Sequence, residues 1–225
     1  PDTGALGNRI VDLNHDGRKE VLVAEGNWPP WHTGTSRLFL LDVGAHGAIT
    51  VTAVYTGPVN LLWGVGPIAD INADGFDEIL MGGDGGMYVF DHRLQLVHYI
   101  PSFQPSVVND INGDGNLEII GTNPLSRRLV ILGPDWQSLW QSDTSFSDTP
   151  VVIVSDLTGD GINDLIASTE TEIRLYAYQE EPLPPPPPFP PPTPAGGRTL
   201  ILLSEERLAA TYACLLYTSP SPRDS

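Results

Sequence analysis

The chain has 225 residues, enough for one large domain or two small ones, and 40% of them are hydrophobic, enough for a core. Only 17% are charged, while 23 are glycine and 22 are proline, so turns are plentiful and long helices are not expected. The net charge of −17 disfavours nucleic acid and anionic membrane surfaces as partners. No apolar run reaches the roughly 18–20 residues that cross a bilayer, so no membrane insertion is expected.

A nine-residue acidic phrase occurs four times along the chain. It reads DLNHDGRKE at 12–20, DINADGFDE at 70–78, DINGDGNLE at 110–118 and DLTGDGIND at 156–164. The repeats therefore start 58, 40 and 46 residues apart. Periods of this size are typical of propeller blades or solenoid units.

Short apolar runs flank each acidic phrase. One run leads in, a second leaves the phrase, and a third follows after turn residues; the first three units also have a fourth run. Such Val-, Ile-, Leu- and Tyr-rich segments read as strands, and four per unit predict an all-β, partial β-propeller of about four four-stranded antiparallel blades. A solenoid of β-hairpins is the alternative. The fourth unit has no visible fourth strand, and we expect sequence upstream of residue 1 to supply it.

Four segments are predicted along the chain. Residues 1–181 hold the propeller blades, and residues 182–197 form a disordered proline-rich linker that acts as an extended spacer. Residues 198–213 are unassigned and could begin another domain. Residues 214–225 are interpreted as a translated artefact, because CLLYTSPSPRD can be encoded by DNA that resembles the end of a sequencing-library adapter. With Pro1 in place of a starting methionine, the chain is expected to be part of a longer multidomain protein.

The acidic phrase has the composition of a calcium loop. Calcium takes about 6–8 oxygen ligands, and a loop with oxygen-bearing side chains at positions 1, 3, 5 and 9 can surround it. Glycine at position 6 permits the sharp turn, and the variable position 7 can offer its carbonyl. The predicted ligands, one Ca²⁺ per loop, are Asp12, Asn14, Asp16, Arg18 and Glu20; Asp70, Asn72, Asp74, Phe76 and Glu78; Asp110, Asn112, Asp114, Asn116 and Glu118; and Asp156, Thr158, Asp160, Ile162 and Asp164.

An EF-hand opens with the same residues but requires an acidic residue at position 12 on a helix. Here position 12 is Val23, Met81, Gly121 or Ala167, and the flanking runs are strand-like, so an EF-hand is rejected. Turns that bind no metal remain the other alternative. Three uncompensated carboxylates in one tight loop would repel each other, which argues against it.

Four D-x-[NT]-x-D-G-x-x-[ED] loops between apolar strands resemble the FG-GAP/VCBS repeats of integrin α subunits and of many secreted bacterial proteins. The resemblance covers roughly residues 8–178. It implies a β-propeller with calcium bound between the first and second strands of each blade. The last loop departs from the pattern at Thr158 and Asp164, which makes it the weakest predicted site.

The sequence predicts a ligand site on the propeller face opposite the acidic loops. Trp28, Trp31 and Trp63, with His32 as a polar neighbour, could bind a glycan or a protein; the alternative is that these rings pack between blades. Calcium sites of extracellular modules have dissociation constants of about 10⁻⁴–10⁻³ M, which favours a secreted or cell-surface location.

Three functions stay open. A non-enzymatic binding module is favoured, because no G-x-S-x-G or H-E-x-x-H motif is present and the five histidines are scattered. The second is the propeller or accessory part of a secreted polysaccharide-degrading, lyase-like enzyme. The third is a structural spacer.

Overall fold

Sixteen strands make up almost all regular structure in this computed structural model, which describes residues 3–27, 35–57, 65–83, 85–180 and 198–207. The first eight are β1 Thr3–Val11, β2 Glu20–Asn27, β3 Ser36–Val43, β4 Ile49–Gly57, β5 Ile68–Ala69, β6 Glu78–Gly83, β7 Gly86–Phe90 and β8 Leu96–Pro101. The other eight are β9 Gln104–Asn109, β10 Glu118–Asn123, β11 Arg128–Leu132, β12 Ser138–Gln141, β13 Val151–Ser155, β14 Asp164–Ser168, β15 Glu172–Glu180 and β16 Arg198–Arg207.

The strands form four antiparallel sheets, each made of four strands that follow one another along the chain. β1–β4, β5–β8, β9–β12 and β13–β16 are called the first, second, third and fourth sheets. The all-β prediction of four four-stranded units is confirmed. Helix in the described residues is limited to one 3-10 turn, Ala45–Gly47, and no helix there could span a membrane.

The expectation that the fourth unit lacks a fourth strand is wrong. β16 pairs with β15 from Glu180↔Arg198 to Glu172↔Arg207, and Leu200 is buried with Tyr176 in the core of this sheet. Residues 198–207 of the unassigned segment therefore complete the fourth sheet. The predicted linker at 182–197 and the predicted adapter sequence at 214–225 lie outside the described residues.

Each sheet packs face to face on the next, and the period-2 alternation of strands divides its side chains between two cores. In β6, Ile79 and Met81 join the core shared with the first sheet, while Leu80 joins the core shared with the third. In β10, Ile119 faces the second sheet's core and Ile120 the fourth's. Three buried cores therefore lie between four successive sheets.

A buried ion pair fastens the fourth sheet to the segment that precedes it. Arg174 Nη2 lies 2.7 Å from Glu172 Oε2, and the two side chains are 4% and 7% exposed. The guanidinium also donates to the carbonyl oxygens of Thr144 and Ser145, while Glu172 accepts from the Ser147 backbone amide. The pair therefore links β15 to residues 144–147.

Candidate metal centres

The four acidic loops occupy the same place in the four sheets. Each connects the first strand of its sheet to the second: β1 to β2, β5 to β6, β9 to β10 and β13 to β14. This confirms the predicted position of the loops. Because the strand order is the same in every sheet, the loops form a set of equivalent structures.

Position 1 organises the turn of every loop. Its carboxylate accepts a hydrogen bond from the backbone N–H of the position 6 glycine, at 2.9 Å in the first three loops and 3.0 Å in the fourth. The glycine has φ of +85°, +92°, +90° and +85° in the four loops. A side chain at these left-handed positions would be strained, so the turn requires the glycine that the sequence repeats.

Positions 5 and 9 extend the same pattern. The position 5 carboxylate accepts from the backbone N–H of position 7 at 2.8 to 2.9 Å in all four loops. The position 9 carboxylate reaches back to the backbone N–H of position 2 at 2.7 to 3.2 Å. The side chains of the acidic phrase thus hold each loop closed by bonding to its backbone amides.

Position 3 completes the oxygen-rich interior in three loops. Asn14, Asn72 and Asn112 accept the position 5 backbone N–H through Oδ1, at 2.9 to 3.1 Å. Thr158 instead donates its backbone N–H to Asp164, at 2.8 Å. The fourth loop therefore differs at the residue where its sequence departs from the pattern.

The position 9 carboxylates lie deep in three of the loops. Glu78, Glu118 and Asp164 are 4%, 1% and 1% exposed. Burial, together with the negative charges of Asp114 and Asp110, raises the pKa of Glu118 to about 7, although the Ile111 amide opposes the shift. The pKa of Glu78 is raised in the same direction, again chiefly by burial. The surroundings of Glu78 and Glu118 therefore disfavour negative charge unless a cation is near.

The residues present fit a hard divalent cation. Side-chain oxygens of positions 1, 3, 5 and 9 are the donor type that Ca²⁺ prefers, and a carboxylate that accepts one to three N–H bonds, as these do, still has a lone pair to offer. In the described part of the chain, none of the ion pairs with Lys, Arg or His involves a carboxylate at position 1, 5 or 9. Their charge has no basic counterpart there.

The carboxylates are not, however, already gathered into a cage. Among the described residues, no group of three or more Asp, Glu, His and Cys side chains is arranged as a metal site. The hydrogen bonds above explain this arrangement, because each carboxylate is turned toward backbone amides of its loop. Cation binding would require side-chain oxygens to move toward a common centre.

Neighbouring loops touch each other in two places. The Asp77 backbone N–H donates to the Leu13 carbonyl oxygen at 3.0 Å, and His15 Nε2 lies 3.0 Å from Asp77 Oδ1. Asn163 Nδ2 donates to the carbonyl oxygen of Asp110 at 3.0 Å. The first loop is thereby joined to the second and the third to the fourth, in each case through position 8 of the later loop.

The side chains at position 7 serve other contacts. Arg18 pairs with Asp42 at 3.4 Å, and Phe76 stacks on His92 with ring centroids 4.1 Å apart. Their backbone N–H groups bond to position 5, so the variable identity at this position is compatible with the loop. The predicted ligand residues Trp28, Trp31, His32 and Trp63 lie outside the described residues.

A cleft of about 750 Å³ opens between the first and second sheets beside the first acidic loop. Loop residues such as Asp16 and Arg18 line one side, strands β3 and β4 a second, and the β7–β8 turn a third. No ligand site was predicted here from the sequence. The sequence signal for the cleft is a difference in residue size between equivalent turns of neighbouring repeats. It becomes visible only when those turns are aligned with each other.

Comparison with known proteins gives the fold but no family. The chain matches no protein-family description and no curated protein. Among solved structures it is similar to BBS1N, crystallised in complex with ARL6DN, with TM-score 0.50 and 15% identity over 77% of this chain. That structure is a β-propeller. The present fold is a β-propeller too.

The chain spans about half of the BBS1N chain, 49% of its length. It also resembles the V. cholerae biofilm matrix protein Bap1, with TM-score 0.42 and 18% identity over 78% of this chain and 38% of that one. At such identities the likeness concerns the fold alone.

Proposed function

We propose that the chain is a calcium-stabilised extracellular β-propeller, with FG-GAP/VCBS-type repeats, that binds a glycan or protein ligand without catalysing a reaction. The observation that carries the proposal is the set of twelve carboxylates at positions 1, 5 and 9. They repeat one hydrogen-bonding geometry four times and lack basic partners in the described residues. Each Ca²⁺ would supply the missing positive charge within its loop.

The proposed extracellular location follows from the expected affinity of the acidic loops for calcium. At millimolar external calcium, a site with a dissociation constant near 0.1 mM stabilises the native state by roughly 1.5 kcal/mol. Four such sites together approach the net stability of a typical domain, about 5–15 kcal/mol. At cytosolic calcium concentrations they would contribute little, so a secreted or surface location suits this fold.

Thermal unfolding of the full chain tests the metal proposal. Calcium should raise the Tm relative to chelator, because it binds the native state and not the unfolded chain. Asp74→Asn should lose about a quarter of the calcium-dependent free energy, since it removes one charge while keeping an acceptor for the Phe76 amide.

Asp143→Asn is the matched control for that experiment. Asp143 is exposed and outside the acidic loops, so its calcium response should equal that of the unsubstituted chain. Identical melting curves in calcium and in chelator would refute the proposal. Equal responses of the two variants would refute the assignment of Asp74.

A polysaccharide-degrading enzyme is the second candidate. Its support is the cleft beside the first loop, where His92 and Arg93 stand near carboxylates. Release of unsaturated sugar products from a uronate polymer would favour this candidate over simple binding.

A further inference from the structure

Two residues beside the cleft between the first and second sheets are smaller than their counterparts between the second and third sheets. The β7–β8 and β11–β12 turns have the same hydrogen bonds: Leu94 N–H donates to Asp91 O, and Trp136 N–H donates to Gly133 O. Leu94 and Trp136, each the fourth residue of its turn, have left-handed φ values of +60° and +66°. Leu94 therefore occupies the position that Trp136 occupies one sheet later.

The strand opposite shows the same substitution. Trp136 lies against His98, with ring centroids 4.8 Å apart, and His98 pairs with Val89 just before the β-bulge of β7. Ala53 pairs with Leu40 at the corresponding place before the bulge of β3. Leu94, in the core between the first and second sheets, and Ala53, which packs against that core and lines the cleft, are therefore the smaller counterparts of Trp136 and His98.

The wall of the cleft carries an aromatic surface and groups that suit hydroxyls. Phe76 and His92, both half-buried, are stacked with an interplanar angle of 16°. Thr52 and Gln95 also line the cleft: the Thr52 hydroxyl donates to the Leu40 carbonyl oxygen and keeps lone pairs that can accept, and the Gln95 amide can donate and accept. A sugar ring offers the same combination, apolar faces and hydroxyls that donate and accept.

Two arginines at the cleft, Arg18 and Arg93, provide cationic groups for a negatively charged ligand, although the carboxylates of Asp16, Glu20 and Asp42 line the cleft as well. Arg93 is exposed and forms no ion pair within the described residues, and Arg18 holds Asp42 only at 3.4 Å while 65% exposed. Such an exposed pair is weak, so the guanidinium can turn to a ligand. Guanidinium groups bind carboxylates through two parallel hydrogen bonds.

We propose that this cleft binds a carboxylated saccharide, a hexuronate unit, with its ring against Phe76 and His92 and its carboxylate on Arg93 and Arg18. The inference rests on the proposed function in one respect: Asp16 and Glu20 also line the cleft. Calcium in the first loop adds two positive charges beside them, so binding is stronger with calcium than without. The cleft's volume falls within the roughly 300–1,000 Å³ of small-molecule sites.

The test is calorimetric titration of the full chain with two tetrasaccharides, one of alternating glucuronate and N-acetylglucosamine and one of N-acetylglucosamine alone. The glucuronate compound should bind at least about 10-fold more tightly than the neutral one, and about 10-fold less tightly in chelator. Arg93→Gln should weaken binding by a similar factor, while Arg9→Gln, an equal charge change on exposed β1, should leave it unchanged.

Leu94→Trp tests the cleft independently of charge. Leu94 is 3% exposed and lies between the cleft residues Arg93 and Gln95, so the larger indole should project into the cleft. Trp136 shows that the backbone of this turn accepts an indole, so the variant should fold, keep its calcium-dependent Tm and lose saccharide binding. Leu94→Met, which preserves side-chain volume, should bind normally.

Four results would overturn the proposal: unchanged binding by Leu94→Trp, equal binding of the neutral tetrasaccharide, equal binding of an acidic peptide, or no binding up to about 10 mM saccharide, a concentration that would reveal even a millimolar site. Loss of saccharide binding with an intact calcium response leaves the metal proposal standing. Saccharide binding that depends on Arg93, with no effect of calcium on the Tm, would leave the cleft proposal standing and refute the metal proposal.

Discussion

At the scale of single residues, the ion pair between Glu172 and Arg174 shows how burial and a charged partner together set the pKa of a carboxylate. Both side chains are almost completely buried, and Arg174 also lies 4.1 Å from the ring centroid of Phe146. Burial alone would raise the pKa of Glu172, but the Ser147 amide and the Arg174 guanidinium outweigh it, and the net effect lowers the pKa. The native state therefore favours the ionised carboxylate.

This pKa shift predicts an acid-dependent loss of stability. A carboxyl whose pKa is lower in the native than in the unfolded state contributes stability above its unfolded pKa, here near the ordinary value of 4.5, and loses it as pH falls. Glu172→Gln should therefore reduce the slope of unfolding free energy against pH between about pH 5 and 3.

Chemical denaturation across that pH range measures the effect. At pH 7 the same variant should be destabilised by about 3 kcal/mol, because it leaves Arg174 buried without its counter-charge. Asp42→Asn, which breaks the exposed pair with Arg18, serves as the control and should change stability by less than about 1 kcal/mol. An unaltered acid slope in Glu172→Gln would show that another group titrates.

At the scale of strands and loops, the first three sheets could be predicted from their apolar runs and turn residues, and β16 could not. The proline-rich sequence separates Arg198 from β15 along the chain, so no local pattern tells that 198–207 returns to pair with it. The pairing is a long-range contact, and apolar periodicity alone does not specify the partner of a strand.

Burial of Leu200 provides a test of β16. Leu200 is 5% exposed and lies in the core between the third and fourth sheets, whereas Leu139 on β12 is 57% exposed. Leu200→Ala should cost about 2–5 kcal/mol of unfolding free energy through lost burial and the cavity left behind. Leu139→Ala makes the same chemical change at an exposed site, and its effect should stay below about 0.5 kcal/mol.

Denaturant unfolding of the two variants gives the comparison. Equal stabilities would mean that residues 198–207 do not pack as the fourth strand of the sheet.

The candidate site was predictable to the extent that it repeats in the sequence. The loops, their place between the first two strands and the need for glycine at position 6 followed from the nine-residue pattern, and the structure has all three. The cleft did not follow, because Leu94 and Ala53 are ordinary residues in isolation. Their small size becomes informative only by comparison with Trp136, at the equivalent place in the third sheet, and His98, at the equivalent place in the second.

At the scale of the whole molecule, stability and charge oppose each other. Three cores bind the four sheets in sequence, yet the chain carries a net charge of −17, and self-repulsion of that size destabilises a compact state. Four Ca²⁺ ions would bring eight positive charges and leave −9. Calcium would thus act on the fold both within each loop and through the total charge.

Equilibrium dialysis of the full chain against calcium is the most direct measurement of the central claim. We predict close to four Ca²⁺ per chain, with dissociation constants of about 10⁻⁴–10⁻³ M and the weakest site lost in Asp164→Ala. No bound calcium at about 5 mM free ion, well above those constants, would contradict the account. The four acidic loops would then be turns closed by their own hydrogen bonds alone.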